Sequence, residues 1–234
     1  FASTPGPFYA GRDYYGGPVT ENNAVTYEYD LVKAASLLDE IGILDTDGDG
    51  IREFADGTPV EFELNTNAGN TLREGFCLIL QEDWTSIGLG VNFQAVDFNT
   101  LVTRLLSGPL YQAACVGLTG GLEPHGSSNS LNSTGGLHFW HYSAADEPYD
   151  YEVRMDELMD LGAGTFDNDE AFGYYLEAQI LDATQTLGLL YSVNQRSTYA
   201  YYNYLKNAQV QGKQIGSPQS TNGIGWDLIW LSNL

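Results

Sequence analysis

An alternation of strand and helix patterns in the middle of the chain constrains its fold more than any other feature. The stretch "VEFELNT" (60–66) alternates apolar and polar side chains, as a strand with one buried face does. A helical pattern follows over about 70–86, and "VNFQAV" (91–96) predicts a second strand. A short helix capped by Asn99 leads to a third strand, "YQAACVGL" (111–118). This order and spacing predict an α/β fold, a mainly parallel sheet with right-handed crossovers and flanking helices.

Apolar patterns also predict which parts of these elements are buried. Residues 111–118 are apolar nearly throughout, which is typical of a central strand. Before the sheet, a helix begins after the cap residue Asp30 and ends at Gly42. The predicted buried face of this helix consists of Leu31, Ala34, Ala35, Leu38 and Ile41. The predicted buried stripe of the helix at 70–86 consists of Leu72, Phe76, Ile79 and Leu80.

The second half of the chain has a different pattern. Residues 119–148 are rich in Gly, Ser, Asn and aromatic side chains without a period, and a loop this long in a compact domain is usually functional. Two helices are predicted after it, at about 151–161 and 169–186, and then a strand at 187–193. The buried face of the second helix is predicted to hold Phe172, Leu176, Ile180, Ala183 and Leu187.

The net charge excludes one large class of partner. The chain of 234 residues has 31 acidic and 9 basic side chains, a formal net charge of −22. Such a surface repels phosphate backbones, so we expect no nucleic-acid partner. No apolar run approaches the roughly 18 residues that would span a bilayer. High acid and low lysine suit a secreted protein in calcium-rich or salty surroundings.

Ligands of open parallel sheets bind outside the carboxyl ends of the strands, and this rule selects three segments. One opens a helix N-terminus, one follows the second strand, and one opens the long loop; an ordinary polar turn is the alternative for each. The aromatic stretch "HFWHY" (138–142) in that loop offers a ring that either stacks on a solute or packs in the loop core. The candidate substrate-binding residues are Asn67, Asn70, Phe98, Gly120, Gly121, Glu123, His125 and Trp140.

Catalytic motifs are missing from the sequence. There is no Gly-x-Ser-x-Gly turn and no phosphate-binding glycine loop, and chance carboxylate pairs are expected among so many acids. His138 and His141 have a metal-like spacing, but no further Cys or His nearby completes a zinc site. We therefore predict a protein that is not an enzyme, although sequence alone does not exclude a glycosidase.

The stretch "DTDGDGIREFAD" (45–56) has the spacing of a calcium loop. Two features differ from an EF-hand, since the last ligand is Asp and a strand follows. The loop comes before the first strand of the sheet, at the end opposite the predicted cleft, so bound calcium would be structural. A solvated acidic turn is the alternative. The predicted ligands are Asp45, Asp47, Asp49, the Ile51 carbonyl, Glu53 and Asp56, with Gly50 at the sharp turn.

The chain has two cysteines, Cys77 in a helix and Cys115 in an apolar run. Two cysteines cannot form a disulfide framework. Two buried free thiols and one disulfide both remain open, because the geometry of the pair cannot be judged from sequence.

Several segments in one order resemble the second lobe of the family 5 extracellular solute-binding proteins of ABC importers. They are "YDLVKAASLLDEIG", "DGTPVEFELNTN", "LQEDWTSIGLGVNF" and the helix "FNTLVTRLL". The resemblance extends from Tyr27 to Leu118 and more loosely to the end of the chain. It implies a type II periplasmic-binding-protein-like lobe, extracytoplasmic and either periplasmic or anchored or secreted at the cell surface.

The resemblance also implies how the chain is organised and what it does. Residues 1–234 would be a C-terminal lobe fragment, with an irregular lead-in (1–26), a lobe core (27–210) and a closing segment toward the missing N-terminal lobe (211–234). A peptide-like or other small solute would be captured between two lobes and passed to an ABC permease. Peptide-binding members carry an Asp where Gly121 stands here, and Glu123 is the acid nearby. The alternative is a calcium-dependent extracellular carbohydrate-binding module or hydrolase-associated domain.

Overall fold

The computed structural model divides the chain into two compact units, residues 27–118 and residues 1–26 with 119–234. We name the first the sheet unit and the second the helical unit. The structure describes residues 2–3, 27–108, 110–118, 124–186, 188–190, 193–194, 205–206 and 230–231. Predictions for the lead-in, for Gly120, Gly121 and Glu123, and for the closing segment therefore fall mostly or wholly outside the described residues.

The elements are as follows, in chain order. The strands are β1 (Ala2–Ser3), β2 (Glu61–Asn67), β3 (Gly90–Val96), β4 (Ala113–Ala114), β5 (Val193–Asn194), β6 (Leu205–Lys206) and β7 (Trp230–Leu231). The helices are α1 (Leu31–Glu40), α2 (Thr71–Ser86), α3 (Phe98–Leu106), α4 (Ser128–Leu131), α5 (Asp150–Gly164) and α6 (Asn168–Gln185), with a 3₁₀ turn at Pro124–Ser127.

The sheet unit contains the predicted parallel sheet, in the order β3-β2-β4. β2 and β3 pair in parallel along their whole length, from Glu61 opposite Gly90 to Asn67 opposite Val96. β4 is short, pairing only Leu64 and Asn65 of β2 with Ala113 and Ala114. The prediction of an α/β fold with a parallel sheet flanked by helices is confirmed.

The prediction that residues 111–118 form the central strand is wrong, because β2 occupies the centre of the sheet. A side chain explains why β4 begins late: Gln112 Oε1 accepts a hydrogen bond from the Glu63 N–H at 2.7 Å. An amide side chain thus takes the place of a backbone bond, and the ladder begins one residue later. In this sheet the central strand is marked by burial of both its faces, since Leu64, Asn65 and Thr66 are all buried.

Each face of β2 is covered by a different helix of the sheet unit. Phe62 contacts Trp84 of α2, with ring centroids 5.5 Å apart. On the other face, Arg104 of α3 donates to Glu63 Oε1 at 2.6 Å and to Asn65 Oδ1 at 2.7 Å. The alternation in "VEFELNT" thus separates an apolar face from a polar one, but both are covered.

Helix starts and buried faces depart from the sequence predictions in detail. Asp97, not Asn99, caps α3, because it follows β3 directly and its carboxylate accepts from the Asn99 and Thr100 N–H groups. α1 is capped by Asp30 as predicted, and its predicted face is half-buried except for Ile41, which is 71% exposed. In α2 the buried residue is Cys77, whereas Leu72 and Ile79 are more than half exposed.

The helical unit has its core between α5 and α6. The predicted helices are confirmed, with ends shifted by one to three residues. The buried face of α6 is rotated by about one residue from the prediction, because Tyr175 lies over Gly162 of α5, where an added Cβ would stand 2.5 Å from the ring. The predicted strand at 187–193 is wrong for residues 188–190, which form no strand. The core residues are Leu131, Met155, Leu158, Met159, Ala171, Tyr175 and Ala178.

Candidate functional site

The carboxyl ends of β2, β3 and β4 lie at one edge of the sheet, because the three strands are parallel. We name this the carboxyl edge; it carries Asn67, Asp97 and Cys115, each at or just after the end of a strand. The Ala68 N–H donates to the Val96 carbonyl at 2.7 Å, so the chain stays paired just past β2. Gly69 then turns with a φ of 82°, a left-handed conformation that favours glycine.

Arg73 supplies a positive charge at the carboxyl edge, and sequence reasoning missed it as a site residue. Its guanidinium donates to Asn67 Oδ1 at 2.7 Å. It also occupies the space beside Gly117, where an added Cβ would displace it. Asn70 Oδ1 caps α2 by accepting from the Arg73 N–H at 3.1 Å. The available signal was a basic residue three positions after Asn70, at a predicted helix N-terminus, in a chain with only 9 basic residues.

The structure changes how the predicted helix N-terminus would act on a solute. The Gly69 N–H donates to Glu74 Oε1 at 2.7 Å, and the Arg73 N–H donates to Asn70. These two backbone donors are thus satisfied by the protein itself. The guanidinium of Arg73, with five N–H donors in a planar fork, becomes the better candidate for holding an anionic or carbonyl group.

Phe98 adds an apolar surface to the carboxyl edge. It is the first residue of α3 and is 53% exposed. Asp97 is committed to capping α3, so Phe98 rather than Asp97 is available for contact. A guanidinium and an exposed aromatic ring on one edge suit a solute with both polar and apolar parts.

Cys77 of α2 and Cys115, which follows β4, are both free thiols. A hydrogen bond from the Cys77 thiol, helped by the positive charge of Arg73, lowers the pKa of Cys115 to about 7 despite its partial burial. The same hydrogen bond and full burial raise the pKa of Cys77. The pair therefore favours a thiolate at Cys115 and a thiol at Cys77.

The acidic loop lies at the amino end of β2, as predicted, whereas Asn67 ends the strand at the carboxyl edge. Four of its carboxylates each have one oxygen within 4.8 Å of the chosen oxygens of the other three. Asp45 accepts from the Gly48 and Gly50 N–H groups, and Glu53, only 5% exposed, accepts from Thr46. The four residues are Asp45, Asp47, Asp49 and Glu53.

The structure places Asp56 outside that group of carboxylates. Its Oδ1 accepts from the Thr58 N–H at 3.0 Å, and this hydrogen bond lowers the pKa of Asp56. Arg52 anchors the loop, donating to Asp39 Oδ1 and to the carbonyls of Ile43 and Ile87, each at 2.6 Å. The loop is therefore fixed to the C-terminal ends of α1 and α2. Four clustered carboxylates fit a divalent cation.

In the helical unit, the two histidines of the aromatic stretch converge on one carboxylate. Glu152 is fully buried and lies 2.9 Å from His138 Nε2 and 2.8 Å from His141 Nδ1. It also accepts from the Tyr149 N–H at 2.8 Å. Burial by itself raises the pKa of Glu152, but these hydrogen bonds together bring it below its ordinary value. The metal-like spacing of the histidines is thus explained by a shared carboxylate.

The two predicted substrate-binding residues described in the helical unit have structural contacts there. Trp140 is half-buried, with its ring centroid 4.2 Å from that of His138, and Gly188 has no side chain where the Trp140 ring lies. His125 Nδ1 lies 3.2 Å from the Met159 carbonyl oxygen. These contacts correspond to the loop-core alternative for Trp140.

Comparison with known proteins decides the family. The profile of the bacterial extracellular solute-binding proteins, family 5 Middle, matches residues 2–138, more than half of the chain. The chain belongs to this family. The resemblance seen in the segments from α1 to α3 is thereby confirmed, and the family 5 proteins serve ABC importers as non-enzymatic binding components.

Individual relatives agree with the family. The family 5 chain is 29% identical over 153 residues, 60% of its length, to a "Probable ABC transporter-binding protein" of Deinococcus radiodurans, of which it covers 26%. It is 40% identical over 79 residues, 34% of its length, to the oligopeptide-binding protein AppA of Bacillus subtilis, of which it covers 14%. The chain thus spans about a quarter or less of these curated relatives.

A solved structure shows the fold. The periplasmic binding protein MelB of Agrobacterium fabrum C58, in complex with stachyose, superposes with a TM-score of 0.66 at 23% identity. The superposition covers 77% of this chain and 28% of MelB. The predicted type II periplasmic-binding-protein fold is therefore confirmed. Among the described helices of the family 5 chain, none combines the length and hydropathy needed to span a membrane.

Proposed function

We propose that this family 5 chain is one lobe of a two-lobe binding protein that captures a small solute outside the cytoplasm and delivers it to an ABC permease. The carboxyl edge carries the proposal. At this edge Arg73 donates a hydrogen bond to Asn67, Asn70 caps α2, and Phe98 is exposed. The position of this edge in a family 5 chain favours binding over catalysis, and over a carbohydrate-binding module or hydrolase-associated domain.

The second lobe is part of this proposal. The chain covers about a quarter or less of its curated relatives and 28% of MelB, so a complete binding protein has room for another lobe. In a two-lobe protein, contacts from both sides enclose the solute when the hinge closes. The chain alone would then supply about half of the contacts.

The solute class is a polar molecule of peptide or oligosaccharide size. AppA is an oligopeptide-binding protein, and MelB was solved with stachyose, so related folds take both classes. Arg73 suits a carboxylate or carbonyl oxygen, and Phe98 suits an apolar side chain or a sugar face. Glu123 is the acidic residue that we assign to a free amino group, if the solute is a peptide.

The acidic loop has a separate, structural role in this proposal. We assign it one calcium ion held by Asp45, Asp47, Asp49 and Glu53, with the Ile51 carbonyl. Four carboxylates within 4.8 Å repel one another, and a divalent cation would turn that repulsion into attraction. The loop is at the amino end of β2, so the ion would stabilise the lobe without touching the solute.

The test is calorimetry on the whole binding protein and on the 234-residue chain, each titrated with a panel of oligopeptides and oligosaccharides. We expect at least one panel member to bind the whole protein with a Kd of about 1 µM or better, and the chain alone at least about 100-fold more weakly, because half the contacts are absent. Equal affinity of chain and whole protein would contradict the two-lobe mechanism. Turnover of a panel member would contradict the non-enzymatic assignment.

A further inference from the structure

Arg73 of α2 is the one arginine among the described residues whose charge has no carboxylate partner. Arg52, Arg104 and Arg154 each pair with an acid, at N–O distances of 2.6–2.7 Å. The guanidinium of Arg73 donates instead to a neutral amide, Asn67 Oδ1 at 2.7 Å, and its remaining N–H groups have no partner in the described part of the chain. A half-buried and unpaired guanidinium is unexpected in a chain with 31 acidic side chains.

Two acids at the ends of the strands are already engaged with backbone N–H groups. Glu74, the next residue in α2, accepts from the Gly69 N–H at 2.7 Å. Asp97, which follows β3, accepts from two N–H groups of α3 as the cap of that helix. The positive charge of Arg73 therefore remains available to an anionic group from outside the sheet unit.

Gly117 leaves open the space in which this guanidinium lies. It comes after β4, is exposed, and has a backbone outside the left-handed region, so its φ does not require glycine. An ideal Cβ on Gly117 would stand 3.3 Å from Arg73 Cζ and 3.6 Å from Arg73 Nε, and closer still to Nη2. Even alanine would therefore push the charged end of Arg73 aside. The backbone would keep its path, because only the far end of a flexible side chain has to move.

We infer that Gly117 determines specificity at the carboxyl edge: its missing side chain lets the unpaired guanidinium of Arg73 lie against the segment after β4, where it selects an anionic solute over a neutral one. A planar fork of N–H donors matches both oxygens of a carboxylate, and such charge-assisted pairs are stronger than hydrogen bonds to a neutral oxygen. The selected class is a solute that carries a carboxylate, from a peptide C-terminus or from a sugar acid. The inference rests on the proposed function, because it concerns the same edge.

The two residues have separate roles in this selection. Arg73 touches the solute, whereas Gly117 acts through Arg73 and is a positioning residue. Asn67 holds the guanidinium from the end of β2, and Gly117 admits it beside the segment after β4. A methyl group at position 117 would leave the charge of Arg73 unchanged but move it, so a carboxylate would lose its two-point contact. A glycine with a merely structural role would affect neutral and anionic solutes alike.

The contact itself is tested on the 234-residue chain by a double-mutant cycle in thermal unfolding. Gly117→Ala should lower the melting temperature by about 2–4 °C more in the natural background than in Arg73→Gln, because only the natural background has a guanidinium to displace. Gly75→Ala is the matched control, since it adds the same methyl group in α2 where nothing lies within 4 Å. It should shift the melting temperature equally in both backgrounds. Equal effects of Gly117→Ala in the two backgrounds would overturn the inference.

Selectivity is tested by calorimetry on the whole binding protein with two matched pairs of probes, tri-alanine with tri-alanine amide and trigalacturonate with galactotriose. We expect the acid of at least one pair to bind the natural protein about 10-fold or more tightly than its neutral partner. Gly117→Ala should reduce this ratio to about 3 or less, and Gly75→Ala should leave it unchanged. The pair that shows the preference identifies the carboxylate as that of a peptide or of a sugar acid.

Arg73→Lys separates the position of the charge from its presence. Lysine carries a compact ammonium on a flexible stem and lacks the Nη2 atom beside position 117, so in this background Gly117→Ala should change the affinity for the preferred acid less than about 2-fold.

The outcomes distinguish this inference from the proposed function. A neutral probe that binds the natural protein as tightly as its acid, or a ratio that Gly117→Ala leaves unchanged, would overturn the inference and leave solute capture intact. So would binding of other panel members with neither acid bound. A whole protein that binds no panel member at all would contradict the proposed function, and the inference with it.

Discussion

Arg73 connects three features of the carboxyl edge through one side chain. It lies beside Asn67 at the end of β2 and beside Gly117 after β4, and its charge lowers the pKa of Cys115. A guanidinium in this position can hold an oxygen of the solute and at the same time order the segments around it. Its charge counts for more in a chain with 31 acidic and 9 basic residues, because few other cations compete for an anionic group.

We predict that Arg73→Gln in the whole binding protein weakens binding of the captured solute by roughly 10- to 100-fold, since a hydrogen bond to a charged group contributes about 1.5–3 kcal/mol. Calorimetry with the best member of the solute panel measures this effect. Lys33→Gln is the matched control and should bind as the natural protein does. Unchanged affinity in Arg73→Gln, with an unchanged circular dichroism spectrum, would show that Arg73 does not touch the solute.

Glu152 is the comparable residue of the helical unit, where it holds the loop after the 3₁₀ turn to α5. Its buried carboxylate accepts from His138, His141 and the Tyr149 N–H. Tyr151 also donates to it at 3.2 Å, and burial raises the pKa of Tyr151 to about 12. Removing the charge of Glu152 would weaken all of these contacts together.

We predict that Glu152→Gln lowers the free energy of unfolding by roughly 2–3 kcal/mol at neutral pH, as expected for a buried hydrogen-bonded carboxylate. The folded pKa of Glu152 lies below its ordinary value of 4.5, so its stabilisation is present above pH 4.5 and is lost as the pH falls through the folded pKa. The difference between variant and natural chain should therefore shrink in acid. Denaturant unfolding at several pH values measures it.

The control for Glu152 lies on the same helix. Glu157 pairs with Arg154 at the surface, and both side chains are at least 40% exposed. Glu157→Gln should therefore cost less than about 1 kcal/mol. Equal losses in the two variants, or a loss in Glu152→Gln that does not depend on pH, would contradict a special role for the buried carboxylate.

At the scale of elements, the acidic loop shows how a turn can be built for a cation and still be part of the fold. Its backbone is closed by bridges from Glu53 to Leu44 and to Pro59, and Arg52 ties it to α1 and α2. Its carboxylates also accept hydrogen bonds within the loop. Replacing Asp with Asn removes the charge but still allows such hydrogen bonds. The substitution therefore separates the loss of cation binding from the loss of the loop's own hydrogen bonds.

We predict that millimolar calcium raises the melting temperature of the natural chain by several degrees and that Asp45→Asn with Asp49→Asn abolishes this rise. In EDTA the same double variant should be as stable as the natural chain or more so, because carboxylate repulsion is relieved. Asp56→Asn is the control and should keep the calcium response, since Asp56 lies outside the cluster. If neither calcium, nor EDTA, nor the double substitution changes the melting temperature, the loop binds no calcium and is an acidic turn.

Helix ends and buried faces show what local patterns can and cannot supply. The caps Asp30 and Asn70 and the C-terminal Gly42 were predictable, because each satisfies backbone groups of its own helix. The cap of α3 was misplaced by two residues because Asp97 and Asn99 are both good caps, and only the end of β3 selects Asp97. The buried faces of α2 and α6 were misjudged because Cys77 and Tyr175 are selected by the surfaces they pack against.

At the scale of the whole molecule, the sheet unit and the helical unit each bury their own core, and the sheet unit lies wholly within the match to family 5. The proposed mechanism requires a second lobe, because one open edge encloses only part of a solute. In the proposed mechanism the sheet and its helices hold the backbone, and the solute would contact a few side chains after each strand.

The sequence by itself determined the parallel strand–helix alternation, the family and the acidic loop before β2, because periodicity and local spacing act over short ranges. Only the tertiary structure decided that β2 is the central strand of the described sheet and that Arg73 reaches Asn67. It also decided that His138 and His141 both contact Glu152. These contacts join residues from different elements, and their geometry follows from helix packing on a sheet or on another helix, which no local pattern encodes.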